Sequence, residues 1–374
     1  MTNSIKIYND RIRFIKSNDF VDLVADSDGL RFTGTFTMAS NTSYALRSNM
    51  EPPAMGRVGF NVFSAGGGST NKIQKIPTAV DGATAIDVGN LTPTPFASNG
   101  QGFSDASSGY VSSADHPTAP HSTDLRKFPF SITSGTASTV ATITSQNFGG
   151  ALSTPSQGYT LGGNQPSGSI NTGVKFPFAS VTESTIAGNF SVARERVSSQ
   201  TQSMEKGYLI GGFNPNYNSQ TQPEPSQPHV NGEIISFSND AYSTFPTSGF
   251  SISPFAPAAS RAPVSMGGGS SSSNAYFSGG GNHPGNPVNL QNIRKIPFAT
   301  DSLVTVSPSG LAVAMKRHTA APTVNGVYLL GGAQTPSNIF TTNVYRIPFA
   351  NESESENIAT LNVPMGQFGT GHQD

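Results

Sequence analysis

Two short phrases return along this chain at a fixed period, and that periodicity constrains the fold more than any other feature. The first is an aromatic residue followed by small ones. It reads GFNVFSAGG at 59–67, GYVSSA at 109–114, GYTLGG at 158–163, GYLIGG at 207–212, AYFSGG at 275–280 and VYLLGG at 327–332. The second reads KIP at 75–77, KFPF at 127–130 and 175–178, a degenerate IISF at 234–237, KIPF at 295–298 and RIPF at 346–349. Five steps from Lys75 to Arg346 average about 54 residues. A weaker third mark is an arginine: Arg47, Arg194, Arg261 and Arg317 stand 11 to 15 residues ahead of Phe60, Tyr208, Tyr276 and Tyr328. After the second phrase comes a β-prone stretch, as in TAIDVGNLT (84–92), ASTVATIT (137–144) and SLVTVSP (302–308).

Each unit therefore offers four short strands: the arginine region, the aromatic–Gly–Gly segment, the KFPF segment and the β-prone stretch. Four antiparallel strands repeated radially make a β-propeller, and a period near fifty residues lies in the kelch range. The expected fold is all-β, a kelch-like propeller of four-stranded antiparallel blades. The Gly pair should let the second strand bend and neighbouring backbone approach closely. Proline cannot donate to a strand ladder, so the KFPF proline belongs at a strand end or bulge. The 40 Gly and 27 Pro break every window long enough for a helix, while 24 Phe recurring at fixed places argue against disorder.

Six units are clear and the termini suggest a seventh. MGQFGTGHQD (365–374) resembles the first-strand segment QNFGGALST (146–154), and the N-terminus offers IKIYND, RIRFIKS and GLRFTGTFTM. One propeller domain over 1–374 is expected. Residues 1–42 supply strands that close the ring in a composite seventh blade or act as a separate anchor, 43–364 carry six repeats, and 365–374 form the closing strand.

The KFPFA phrase following a GYxxGG segment resembles the kelch-like repeats of virion proteins from tailed marine cyanobacterial phages. The closest matches are Ala85–Thr92, Lys127–Phe130, Lys175–Ala179, Lys295–Asp301 and Arg346–Ala350, within a span of roughly 45–364. The sequence departs from the pattern at Ser113–Ala114, which replaces Gly–Gly, and in the fourth unit, which has lost Lys and Pro. It also has no Trp, which cellular kelch blades usually carry. The resemblance implies a structural component of a phage particle, present in multiple copies, with other virion proteins as partners. It places the chain in the tail, neck, fibre or capsid surface, in assembly or host attachment.

Composition narrows the partners further. With 21 Lys+Arg against 22 Asp+Glu, the net charge of −1 gives no reason to expect nucleic acid. No apolar run approaches twenty residues, so membrane insertion is not expected, and the polar N-terminus lacks the core of a secretory signal. There is no cysteine for a disulfide, thiolate ligand or nucleophile.

Between the second and third strands, the loops vary most in length and are rich in Asn, Gln, His and Pro, and all open on one face. Loops on a rigid scaffold are where binding resides. Asn164, Gln165, Asn214, Asn216, Tyr217, Asn282, His283 and Gln334 are the candidate binding residues, suited to a host-surface glycan or a polar protein. Asn-Pro and His-Pro are also ordinary turn formers. No metal or cofactor is expected. His116 and His121 straddle two prolines at a spacing poor for a metal, Asp26 and Asp28 with Gly29 read as a hairpin turn, and GGGSTNK (66–72) is a strand end rather than a phosphate loop. The recurring arginines follow the repeat and read as structural. Glu195, Glu205, Glu352, Glu354 and Glu356 read as exposed charge, with no spacing that implies a shared cleft. The chain is expected to be no enzyme; a propeller enzyme acting on surface polysaccharide and a kelch-type adaptor are the alternatives.

Overall fold

The computed structural model divides the chain into two compact units, Met1–Pro52 and Pro53–Asp374. It describes residues 3–7, 11–16, 19–26, 29–37 and 43–46 of the first. Of the second it describes 61–373, apart from 68–69, 79–80, 92–99, 113–121, 145, 199–200, 213–231, 246–264, 282–288, 306–309, 324, 335–338, 351, 353–355 and 367–369.

The first unit is an antiparallel meander of five strands, Asn3–Ile7, Arg11–Lys16, Asp19–Asp26, Gly29–Thr37 and Ser43–Leu46, hydrogen-bonded in chain order. Asp26 pairs directly with Gly29, which makes the Asp–Gly element the hairpin turn expected of it.

Six sheets built to one plan fill the described part of the second unit. The second sheet runs Gln101–Ser104, Ser108–Ser112, Asp124–Pro129, Ser138–Thr142, and the third runs Gly150–Ser153, Gln157–Leu161, Gly173–Pro177, Ser184–Thr185. The fifth and sixth open on Gly267–Ser270 and Thr319–Pro322. In the fourth, Lys206–Leu209, Gly232–Ser236 and Tyr242–Phe245 form the ladder, and the chain before them attaches by a Gln202–Gly207 bridge. The degenerate IISF phrase thus still makes a strand, because Ile234 and Ile235 alternate into the two neighbouring cores.

The first sheet holds the surprise. Its strands are Asn61–Ala65, Lys72–Pro77 and Ile86–Asn90, and its opening strand is the C-terminal Thr370–Gln373, paired with Val62–Ala65. The expected composite blade of both termini is therefore corrected. The C-terminal strand does act as a first strand, but it completes the first clear repeat, and the N-terminal strands pair among themselves. A second latch lies beside it: Ala83–Thr84 adds in parallel to Ala359–Thr360 on the outer strand of the sixth sheet.

The repeated phrases serve the joints between sheets. In strand two, consecutive residues face opposite ways, so Tyr276 packs towards the sixth sheet and Phe277 towards the fourth. The last Phe of each KFPF phrase stacks on the aromatic of the preceding sheet. The pairs are Phe63–Phe130, Tyr110–Phe178, Tyr159–Phe237, Tyr208–Phe298 and Tyr276–Phe349, with centroids 5.0–5.4 Å apart. Each fully buried ring contributes about 2–3 kcal/mol through burial. The sixth-to-first joint has Thr78 in place of that Phe, and Tyr328 donates to its carbonyl at 3.5 Å.

After Pro177, Pro297 and Pro348, and after Ser236 in the fourth sheet, the chain turns sharply, with a residue in the left-handed region: Val181 (φ 49°), Asp301 (50°), Glu352 (47°) and Asp240 (57°). The amides of Val181, Asp301 and Glu352 donate to the carbonyls of Pro177, Pro297 and Pro348. Where this turn residue is acidic it clasps the preceding sheet. Asp301 takes Lys206 Nζ and Tyr208 Oη, each at 2.6 Å. Glu352 takes Lys295 and Tyr276 Oη, and Asp240 takes Lys175. Burial raises the phenol pKa of Tyr208 and Tyr276, and the neighbouring carboxylates raise it further, so both remain donors. Arg346 closes the series by a two-pronged pair to Asp81 in the first repeat, at 3.0 and 3.2 Å.

Apolar clusters fill every successive joint. One joins the sixth sheet to the first, through Tyr328, Leu330, Val344, Val62 and Ile76. First strands touch one another in order, Thr370–Gln373 against Gln101–Ser104 on one side and Thr319–Pro322 on the other. These inner strands are built from small residues, as in GGGS at 267–270 and GALS at 150–153, which lets them crowd together. The result is an all-β, propeller-like arrangement.

Candidate functional site

Four residues in the left-handed region, Phe148 (φ 61°), Arg196 (61°), Ser265 (61°) and Arg317 (57°), precede the inner strands of the third, fifth and sixth sheets and the segment that leads into the fourth. These four are linked head to tail by backbone hydrogen bonds. Arg196 N donates to Phe148 O, Ser265 N to Arg196 O at 3.0 Å and Arg317 N to Ser265 O at 3.0 Å. They form an arc at the entry ends of these strands, here called the mouth. Non-glycine residues in this conformation cost of order 1 kcal/mol or more each and persist where the surroundings enforce them. The arc keeps one backbone geometry while its side chains differ.

The Gly–Gly pairs reach the same face. Gly163 (φ 102°) donates to Arg194 O, Gly280 to Met315 O and Gly332 to Met365 O, each two residues before the next inner strand's arc position or its counterpart. A Cβ on Gly163 would lie 2.6 Å from Asn147 O, which explains the glycine. This register corrects the reading of the arginines. Arg194 occupies the position of Met315, whereas Arg317 is the counterpart of Arg196, so Arg194 and Arg317 are not one repeated feature. Arg194 is structural as expected: it is 1% exposed, paired with Glu233 and hydrogen-bonded to Gly211 O. Burial depresses its pKa and Glu233 opposes that effect. Arg47 and Arg261 lie outside the described residues.

At the mouth, Arg196 lies 5.2 Å from the Phe148 ring and 3.3 Å, through Nε, from Glu195 Oε1. Asn164 donates to the other oxygen, Glu195 Oε2, at 2.7 Å. Glu195 is thus a largely buried carboxylate, not the exposed charge expected. Arg317, half-buried, has no acidic partner among the described residues. Desolvation lowers its pKa and the Arg196 charge lowers it further. Lys316 is lowered in the same way, by desolvation and then by Arg317. The mouth concentrates positive charge in a chain that is nearly neutral overall. Beneath Arg317, His318 is 3% exposed, and its Nε2 accepts from Gly267 N at 3.1 Å with Ser278 Oγ also at 3.1 Å. Burial pushes its pKa down to about 4, so the ring is neutral.

Three of the candidate loop residues lie within the described structure. Asn164 and Gln165 begin a small hairpin paired with Ser169 and Gly168, and Asn164 reaches the mouth through Glu195. Gln334 pairs with Met315 and donates to Tyr345 Oη at 3.1 Å, on the same face but tied to its own sheet. Asn214, Asn216, Tyr217, Asn282 and His283 lie outside the described residues, as do His116 and His121. Sequence reasoning missed Arg196, Lys316 and Glu195 as site residues. The signal for Arg196 was its spacing of two before the Val–Ser inner strand, the same offset as Arg317 before Thr319. Among the described residues no three metal-ligating side chains cluster, and no helix is long and apolar enough to cross a membrane.

A second depression, of about 610 Å³, opens between the third and fourth sheets at the turns of the opposite face, with Tyr159, Phe237 and the 47% exposed Met204 in its wall. Of its two charged members Lys206 is paired with Asp301 and Glu205 is exposed, and its phenol donates to Gln157.

No family model and no curated protein matches this sequence. Among solved structures the chain is similar to one titled "Structure of YjhT", with a TM-score of 0.57 and 12% identity over 76% of this chain and 90% of that one. At that identity the likeness shows fold alone, an all-β propeller-like architecture. It overturns the expectation that this chain is no enzyme. Such a fold hosts catalysis as well as binding, and the mouth holds the charged groups that chemistry uses.

Proposed function

We propose that this chain is a closed, six-bladed kelch-like propeller that engages anionic polysaccharide at its axial mouth, as a component of a phage particle contacting a host surface. The observation that carries the ligand class is the Arg196–Arg317 pair. Two guanidinium groups are held near each other and partly out of water, at a cost that a bound carboxylate or sulfate would offset. Phe148 adds a flat face suited to a sugar ring, and Asn164 an amide donor. The six-sheet count, the sixth-to-first apolar cluster and the Arg346–Asp81 pair support ring closure. The KFPFA phrases support the particle context.

A second reading, cleavage of the same polymer, rests on Glu195, a carboxylate held on both oxygens beside the cations.

The test is binding of the full chain to immobilised alginate and to neutral dextran. Retention on alginate that weakens with salt, at least tenfold reduced in Arg317→Gln, is expected. Equal retention on both polymers, or an Arg317→Gln variant that binds as the wild type, refutes the reading. Release of reducing or unsaturated ends from alginate, lost in Glu195→Gln, moves the assignment to the second reading.

A further inference from the structure

The joint between the third and fourth sheets departs from its neighbours. At the next two joints the strand-two phenol donates to an acidic turn residue, Tyr208 to Asp301 and Tyr276 to Glu352. Here the acidic residue, Asp240, takes Lys175, while Tyr159 Oη donates instead to Gln157 Oε1 at 3.2 Å. That bond fixes the amide. Its oxygen faces the phenol, and its Nε2 is a donor without a partner among the described residues. The depression of about 610 Å³ opens at this same joint. Its wall comes from two neighbouring turns, one bringing Pro155, Ser156 and Gln157 and the other Met204, with Phe237 and Ser238 added from the end of a strand. Pro155 and Met204 are both exposed, whereas the same turn position in the second and fifth sheets carries Ala106 and Ser272.

We infer that this depression binds a neutral N-acetylated sugar. Its volume lies in the range of small-ligand sites. The serine hydroxyls and the Gln157 amide can each donate and accept, which is what a ring of hydroxyl groups requires. Charge selects against ions of either sign. Lys206 is already paired with Asp301, and the exposed Glu205 carboxylate repels an anion while it can accept from a sugar hydroxyl. The half-buried Phe237 supplies an aromatic surface for the apolar face of a pyranose. An acetamido group uses what a plain hexose leaves idle: its carbonyl accepts from Gln157 Nε2, and its methyl group covers the exposed Pro155 and Met204. The site lies on the face opposite the mouth and does not rest on the anionic ligand proposed there.

Saturation-transfer NMR of the full chain with N,N′-diacetylchitobiose tests it. Cellobiose, which has the same linkage without acetamido groups, is the control. The acetamido methyl protons should take up the strongest saturation, and binding should saturate in the millimolar range. Cellobiose should bind about tenfold more weakly or not at all. Gln157→Leu removes the amide donor and should weaken the disaccharide about tenfold. Met204→Ser, at a position 47% exposed, leaves the packing alone and should weaken it severalfold with the near-UV tyrosine spectrum unchanged. Arg317→Gln should bind the disaccharide as the wild type does, which separates this site from the mouth. No saturable binding, equal binding of cellobiose, or a Met204→Ser variant that binds as the wild type overturns the inference.

Discussion

His318 makes the stability of this propeller depend on pH in a calculable way. Its side chain bridges two sheets: Nε2 accepts the Gly267 amide of the fifth sheet's inner strand, while the residue itself precedes the inner strand of the sixth. Protonation would destroy that acceptor, set an N–H against the Gly267 N–H and place a cation in a site that is 3% exposed. The folded pKa is about 4, below the 6.5 of a free imidazole. The unfolded chain therefore binds the proton more readily. The neutral-ring contribution is fully present above pH 6.5 and is lost as pH falls from 6.5 towards 4. At 1.36 kcal/mol per pH unit the loss is about 2.5 kcal/mol by pH 4.5 and ~3 kcal/mol below the folded pKa.

Carboxylates titrate in part of the same window, so the comparison must cancel them. His318→Gln keeps an acceptor for the Gly267 amide and removes the titration. Urea unfolding followed by near-UV tyrosine signal, at intervals from pH 7.5 to 4.5, should show wild type losing about 2.5 kcal/mol more than the variant. Parallel profiles within about 0.5 kcal/mol would refute the reasoning, as would a His318 ring resonance that titrates near pH 6.5 in the folded protein.

Three further outcomes are expected. Arg194→Met should cost about 3–5 kcal/mol, because it strands the Glu233 carboxylate, 1% exposed, without its cation; calorimetry of Arg194→Met with Glu233→Leu should recover most of the loss. Glu352→Gln should cost about 1 kcal/mol, since its joint with Lys295 and Tyr276 is only partly buried. A double-mutant cycle with Lys295→Met should show the coupling, and a zero coupling energy would remove the clasp as a stabilising element. Ending the chain at Met365 should abolish cooperative unfolding, because the first sheet loses its inner strand; an unchanged urea midpoint would mean that the fold does not need the latch.

The repeat period, the four-strand unit, the proline at the strand end and the bent Gly pair were all legible in the sequence. Each follows from a local backbone rule. Strands do end at Pro77, Pro129, Pro177, Pro297 and Pro348, and Gly162–Gly163 do take positive φ. The joints were not legible. Lys295, Tyr276 and Glu352 come from two sheets and meet only after those sheets pack, so no spacing in the chain announces them. The arginine mark misled because the segments before the inner strands differ in length, and only the Gly–Gly hydrogen bonds reveal that Arg196, not Arg194, corresponds to Arg317. The closing strand was recognised by its likeness to 146–154, but its partner was misplaced. The likeness defines a strand type, and pairing is decided by which sheet lacks that strand.

The contrast between joints and mouth separates architecture from function in this chain. At the joints the repeated residues are spent on one another: five ring stacks and four cation–acid clasps recur with little variation, and the exceptions, Thr78 and Val181, fall where a different contact takes over. At the mouth the backbone arc is as regular as the joints, with φ values between 57° and 61°, yet its side chains are Phe, Arg, Ser and Arg. A position that must keep an unfavourable conformation but is free to change its side chain is under no packing demand for that side chain. Packing would have made the four alike. The arc fixes where those side chains stand: Arg196 sits between Glu195 and the Phe148 ring, and Arg317 stands beside it.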